Sequence, residues 1–378
     1  MSWLLPPLRP TFKAALRDVE AKMLSARIAA AERLSEPDPG FEAQAVEALV
    51  TLASNENVQV RRTALRSLAT IGSARVQASN KWLSSLVECL RDEDATAREL
   101  AVIAISEIDD EKADKLLRDA LKNSHPEVRF QAVQAFARRA ADGIEKEVRE
   151  LLKDPDAKVR AIAGRTLGEV GGPSARKALI RLLEDPTDEV RGEAALALSK
   201  SGEKKAAPVL CAALSDPSMV FEALQGLADL KSVESSDRIA ELTRGLFRPI
   251  IVKAAAARAL VRLGDRRGVE ALREVITARR WEGRNLAVQT VGELGIVALA
   301  KELRDLAKRL RGTDPQLLAR ALADLAPQSQ NAFEGLQILS RRKGNVGDPA
   351  RQELSRLFAS AKQRVIPGKK SADKPGSA

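Results

Sequence analysis

A repeat of 31 residues constrains this chain more than any other feature. Stepping by 31 from Arg98 reaches Arg129, Arg160, Arg191, Glu222, Lys253 and Arg284, so six of the seven positions are basic. The residues just before them are Ala97, Val128, Val159, Val190, Phe221, Val252 and Gly283, mostly apolar. Leu90, Leu121, Leu152, Leu183 and Leu214 keep the same step. So do Ala101, Ala132, Ala163 and Ala194, then Ala256 and Ala287 after an interruption at Gln225. Gly171, Gly202, Gly264 and Gly295 form a fourth register. A fixed period of this length marks a stacked array, in which each unit buries its apolar face only against its neighbours.

One unit shows the physical content. Between Ser174 and Gly202, Ala178, Leu179, Leu182 and Leu183 fall at helical spacing and predict a first helix. Asp185-Pro186-Thr187 stops it, because proline disfavours helix in the residue before it and lacks the N–H that would continue the ladder. Asp188 and Glu189 place negative charge at the start of a second helix. Val190, Ala194, Ala197 and Leu198 make the apolar face of that helix, and Ser201-Gly202 ends it. Nothing in the chain supplies the alternating β-branched and aromatic runs that strands need. The expected fold is therefore all-α: a right-handed α-solenoid of about eleven stacked helix pairs.

The Asp-Pro turns and Val-Arg pairs carry a family resemblance. Asp154-Pro155 with Val159-Arg160 and Asp185-Pro186 with Val190-Arg191 resemble HEAT-like repeats, and Asp216-Pro217 fits the same pattern. The period is shorter than the roughly 40–47 residues of ordinary HEAT units. It is closer to the short HEAT-like repeat of the phycobilisome-lyase type. The resemblance implies a scaffold fold used mostly for binding proteins, and only occasionally for catalysis. It also implies that the periodic arginine pairs with a turn aspartate of its own or a neighbouring unit. Arg98, Arg129, Arg160 and Arg191, with Asp154 and Asp185, are thus expected to form a structural ladder between layers.

The expected organisation is an N-terminal capping segment over 1–20, a solenoid over 21–365 that is most regular from 83 to 295, and a disordered basic tail over 366–378. Trp3, Leu4 and Leu5 are expected to cover the first helix. The opening residues lack the basic stretch and small-residue cleavage site of a secretory leader, so a cytoplasmic protein is the default. The longest stretch without a charged side chain is the ten residues from Ala206 to Ser215, far short of a membrane span.

Composition narrows the chemistry. One histidine, His125, cannot supply a multi-histidine metal site or a pair of imidazole bases, and it sits where other units carry Asp-Pro. Cys89 and Cys211 follow the apolar helical pattern and lack any Cys-x-x-Cys spacing, so both are expected to pack in the core. Asp109-Asp110-Glu111 lacks the oxygen pattern of a calcium loop. No cofactor, metal, catalytic residue or small-molecule substrate is expected, and neither lyase nor glycosylase activity can be mapped onto specific residues.

Charge is unevenly distributed. Residues 1–240 hold 35 basic and 38 acidic side chains, whereas residues 241–378 hold 27 and 14. The whole positive excess therefore lies in the last part of the chain. Its clusters include Arg279, Arg280, Trp281 and Arg284, and Arg341, Arg342 and Lys343. These are the candidate contacts for an acidic partner. The expected function is a non-enzymatic scaffold or adaptor that docks a protein partner, itself acidic where it meets these clusters, on a concave surface. The alternative is binding of nucleic acid or another polyanion through the basic C-terminal part.

Overall fold

A computed structural model describes residues 10–71, 80–108, 111–139, 143–245, 248–278, 283–310 and 312–365. Trp3, Leu4 and Leu5, the acidic pair Asp109-Asp110 and the tail over 366–378 lie outside the described residues. Among those described there are 22 α-helices and no strand. The chain divides into two compact units, Met1–Leu198 and Ser199–Ala378.

The first unit runs α1 (Phe12–Asp18), α2 (Leu24–Leu34), α3 (Glu42–Ala53), α4 (Val58–Ile71), α5 (Asn80–Cys89), α6 (Ala95–Ser106), α7 (Glu111–Ala120), α8 (Pro126–Arg139), α9 (Glu145–Glu150), α10 (Ala157–Val170), α11 (Gly172–Leu182) and α12 (Asp188–Lys200), the last ending just past its boundary. Odd-numbered helices are the first and even-numbered helices the second of each pair. The second helices α2, α4, α6, α8 and α10 pack on one another in succession, and α1, α3, α5, α7 and α9 each lean on their own partner. Ala101, Ala132, Ala163 and Ala194 are all completely buried. Their small side chains let second helices stack closely, which explains the alanine register. Larger fully buried side chains such as Leu49, Leu65, Leu86 and Leu117 fill the space between the layers. At the start of the unit, Phe12 of α1 is buried with its ring 5.5 Å from that of Phe41, and Arg33 lies over it.

The second unit runs α13 (Ala207–Ala213), α14 (Val220–Asp229), α15 (Ser236–Leu242), α16 (Ile250–Arg262), α17 (Arg267–Thr277), α18 (Arg284–Glu293), α19 (Ala300–Arg309), α20 (Pro315–Leu325), α21 (Gln330–Ser340) and α22 (Asp348–Val365). Here too the second helices α14, α16, α18, α20 and α22 stack in order. Leu272, Val288, Leu303, Leu318, Leu322 and Leu336 belong to one continuous core. Close stacking is enforced at Gly292, where an added Cβ would lie 2.7 Å from the Ala321 Cα of the next second helix.

The 31-residue register slips once. Glu222 and Gln225, which it places in the arginine and alanine columns, are both exposed, and the buried side of α14 is Val220, Ala223, Leu224 and Leu227. The cause shows at the helix end. Gly264 and Gly295 close their helices at φ 79° and 63°. After α14 the same left-handed position is taken by Lys231, at φ 52°. Its N–H donates to the Ala228 carbonyl and the Ser232 N–H donates to Leu227, each at 3.1 Å, the double hydrogen bond of a left-handed helix cap. Lys231 lies two residues ahead of the position the glycine column predicts, so this unit is shorter and Val220, not Glu222, stands in the arginine column.

A side chain with a Cβ is strained in that conformation. The substitution Lys231→Gly is expected to stabilise the protein by about 1 kcal/mol, read from the urea midpoint at unchanged m-value.

Candidate functional site

Two sets of side chains join successive units, one at the turns and one on the second-helix face. The turns start from a short polar residue that folds the backbone back on itself. The Asp154 Oδ1 accepts from the Asp156 N–H at 2.9 Å, and Asp185 does the same for Thr187 at 2.9 Å. Asp92 caps Asp94 at 2.8 Å, and Asn123 caps His125 at 2.9 Å. These are the local side-chain bonds that Asp and Asn favour at turns.

The periodic arginines build on those turns. Each directs one guanidinium nitrogen at two carbonyls of its own turn, five and six residues earlier. Arg129 donates to Asn123 at 2.8 Å and Ser124 at 3.1 Å, and Arg160 donates to Asp154 at 2.8 Å and Pro155 at 3.1 Å. The other edge of the fork reaches the turn carboxylate of the following unit. Arg61 grips Asp92 at 2.7 and 2.9 Å, Arg129 grips Asp154 at 2.7 Å twice, and Arg160 grips Asp185 at 2.8 and 3.0 Å. Carboxylate pairing is therefore with the neighbour, and the aspartate of an arginine's own turn contributes its backbone oxygen. Arg191 shows the second half of this rule, donating to the carbonyls of Asp185 at 2.7 Å and Pro186 at 3.1 Å and pairing with Asp188 beside it.

Arg98 is the informative exception. The next turn offers neutral Asn123, and the Arg98 guanidinium turns to Glu127 at 3.4 Å while keeping the carbonyls of Asp92 and Glu93. A bidentate fork needs a carboxylate opposite it.

These groups are largely shielded from water: the Arg129 and Asp154 side chains are 11% and 4% exposed. Hydrogen bonds donated to Asp92, Asp154 and Asp185 hold Arg61, Arg129 and Arg160 more firmly charged than free arginine. Burial pushes the Asp185 carboxyl upward, but the Arg160 fork and the Thr187 N–H outweigh it, leaving it below the usual range. The hydrogen bond from Arg62 brings Asp94 down to about 2.

The second-helix face carries its own cross-links. Arg62 of α4 meets the turn residue Asp94, which caps α6, at 2.5 Å; between the helices themselves Gln131 of α8 donates to Glu99 of α6 at 2.9 Å, and Arg165 of α10 meets Glu193 of α12 at 2.9 Å. In the second unit Arg262 meets Asp229 at 2.6 Å and Arg258 meets Glu293 at 3.0 Å. Positive and negative charge are interleaved there, so the face is polar and not a basic cradle.

The sequence-predicted basic contacts separate. Arg279, Arg280 and Trp281 lie outside the described residues. Arg284 is 5% exposed and donates to the Ala278 carbonyl, and burial lowers its pKa. It belongs to the turn-carbonyl series and not to a surface. Arg342 donates to the Ala307 carbonyl at 3.2 Å and to Lys308 at 2.6 Å, tying down the C-terminus of α19. Its neighbours Arg341 and Lys343 are exposed. Sequence alone gives no sign of the split, because the three residues are adjacent and chemically alike.

Candidate reactive groups are absorbed by structure. His125 is half-buried at the turn before α8. Cys89 is buried, and that burial raises its thiol to about 11. The Cys211 Sγ lies 3.1 Å from the Ser235 hydroxyl. Among the described residues no three His, Cys, Asp or Glu side chains come together as a metal site, and no helix is long and apolar enough to cross a membrane.

Stacked helix pairs with carboxylate–guanidinium links between turns define an all-α solenoid. Its family follows from the matches: HEAT repeats over 83–143 and 144–228, and the PBS lyase HEAT-like repeat over 252–277. The chain is a HEAT-like repeat protein. Among solved structures, importin beta is 13% identical with a TM-score of 0.57, covering 94% of this chain and 60% of its own. A chain of the phycocyanin lyase complex from Nostoc sp. PCC7120 is 23% identical over 59% of this chain and 92% of its own, at a TM-score of 0.40. Human deoxyhypusine hydroxylase is 17% identical over 66% of this chain and 96% of its own, at 0.31. No curated protein matches the sequence.

Removing one member of a buried pair strands the other. Arg129→Ala is expected to cost about 3–5 kcal/mol in urea unfolding; a loss below 1 kcal/mol would remove the ladder from the account of stability. Acid should act on the same links. Asp94 and Asp185 titrate lower in the folded chain than in the unfolded one, so their contribution is complete above the ordinary carboxylate range near pH 4. It is lost as pH falls toward about 2. The urea midpoint should therefore drop across that interval.

Proposed function

We propose that this protein is a non-enzymatic scaffold that docks a protein partner on its second-helix face. One observation carries the reading. In each unit the second helices form an ordered layer with outward polar side chains held by bonds from helix to helix, as Arg165 is by Glu193 and Arg258 by Glu293. A surface fixed before binding loses little side-chain entropy when a partner arrives, so weak contacts over several units add to useful affinity. An exposed aromatic offers an anchor: Phe221, at the start of α14, is 41% exposed. Aromatic side chains of that kind supply much of the energy of protein interfaces. The occupation of His125 and both cysteines by turn and packing roles supports a binding role over catalysis.

Partner capture from nuclease-treated lysate, followed by hydrogen exchange on the purified complex, tests this. Protection should concentrate on the exposed sides of successive even-numbered helices. Phe221→Ala should weaken binding by about tenfold, the scale of a buried aromatic contact. Protection confined to the odd-numbered helices, or partner loss with nuclease, would overturn the reading.

A further inference from the structure

The segments that join first to second helices change sign along the chain. Between α1 and α14 the seven such segments hold four basic and ten acidic residues. Between α15 and α22 the described residues of the four segments include five basic and one acidic. In a stack these segments share one edge of the second unit. We propose that this edge is a nucleic-acid-binding ridge, distinct from the second-helix face, that contacts the phosphates of a duplex.

Five described side chains make up the row: Arg244 and Arg248 before α16, Arg309 at the end of α19, and Arg341 and Lys343 before α22. All five are exposed, and none takes part in an ion pair among the described residues. They differ in this from Arg258 and Arg262, whose charges Glu293 and Asp229 neutralise. Asp314 is the one described acidic residue in these segments. Packed helices stand about 8–10 Å apart, so four successive segments extend roughly 30 Å, close to the ~34 Å of one duplex turn. Guanidinium groups predominate, and they match phosphate oxygens through paired hydrogen bonds. A row without base-reading geometry binds through the backbone and therefore with strong salt dependence. An extended acidic polypeptide is the competing occupant, but it would have to carry a carboxylate at regular spacing, whereas phosphates are evenly spaced in every duplex.

The test is fluorescence anisotropy of a labelled 30-base-pair duplex with the full chain. Four or five phosphate contacts give a slope of log affinity against log salt of about −4, or roughly a two-hundredfold loss between 50 and 200 mM salt. The variant carrying Arg244→Glu, Arg248→Glu, Arg341→Glu and Lys343→Glu should bind at least about tenfold more weakly, with most of the slope gone. A control with the same charge change at exposed Arg176, Lys177, Lys204 and Lys205, each replaced by Glu, should bind within about twofold of the parent. Circular dichroism checks both folds, and glutamine replacements at the four ridge positions should give the same loss of slope without added repulsion. No binding at about 50 mM salt, equal weakening by ridge and control variants, or displacement of the duplex by polyglutamate at equal charge would overturn the proposal.

Discussion

The interaction on which the first unit depends is the guanidinium fork that holds two turns at once. One nitrogen of Arg129 or Arg160 takes the carbonyls of its own turn, and the opposite edge takes the carboxylate of the next. Those carbonyls lie in a tight turn, where helical partners are absent. The fork therefore satisfies local backbone groups and fixes the distance to the neighbouring unit in one step. Apolar stacking alone would let one alanine-rich helix slide along another, since small side chains present a shallow relief. A two-point bond to a single carboxylate allows one alignment.

The fork also constrains sequence. An arginine at the start of the second helix is useful only if the following turn supplies a carboxylate, and the turn acids of the first unit follow from that requirement. In the second unit further links between repeats join the first helices, as Arg118 of α7 and Glu147 of α9 do in the first. Arg273 of α17 meets Glu302 of α19 at 2.7 Å, and Arg304 of α19 meets Asn331 of α21 at 2.5 Å and Glu334 at 3.2 Å. Among the described turn residues there, arginines outnumber the one acid, Asp314.

The helix pairs were legible in the sequence because the period sets burial directly: each alanine of the Ala101 column is inside, and each glycine of the Gly171 column closes a helix. The interruption at α14 was legible in Glu222 and Gln225, but its cause was not. Lys231 accepts a conformation that usually demands glycine, so the marker that would have shown the shortened unit is absent from the sequence. The arginine column was visible but its partner was not. Asp154 and Arg160 are near in sequence, yet the Asp154 carboxylate belongs to Arg129. A side chain as long as arginine can reach either turn, and only the stacking geometry decides. The same limit applied to the basic clusters, where Arg342 turned inward to a helix end while Arg341 and Lys343 stayed outside.

Net charge thus reports on two different structural demands. The near-neutral first part of the chain balances turn carboxylates against the arginines that bind them, and the second-helix face repeats that balance with Arg165 and Glu193. Part of the basic excess after residue 240 lies at the turns, while the second-helix face keeps the balance, as Arg258 with Glu293 and Arg262 with Asp229 show. A protein whose surplus charge served solubility alone would have no reason to keep one face neutral while loading one edge. That separation makes the second-helix face and the turn edge of the second unit two surfaces of different chemistry.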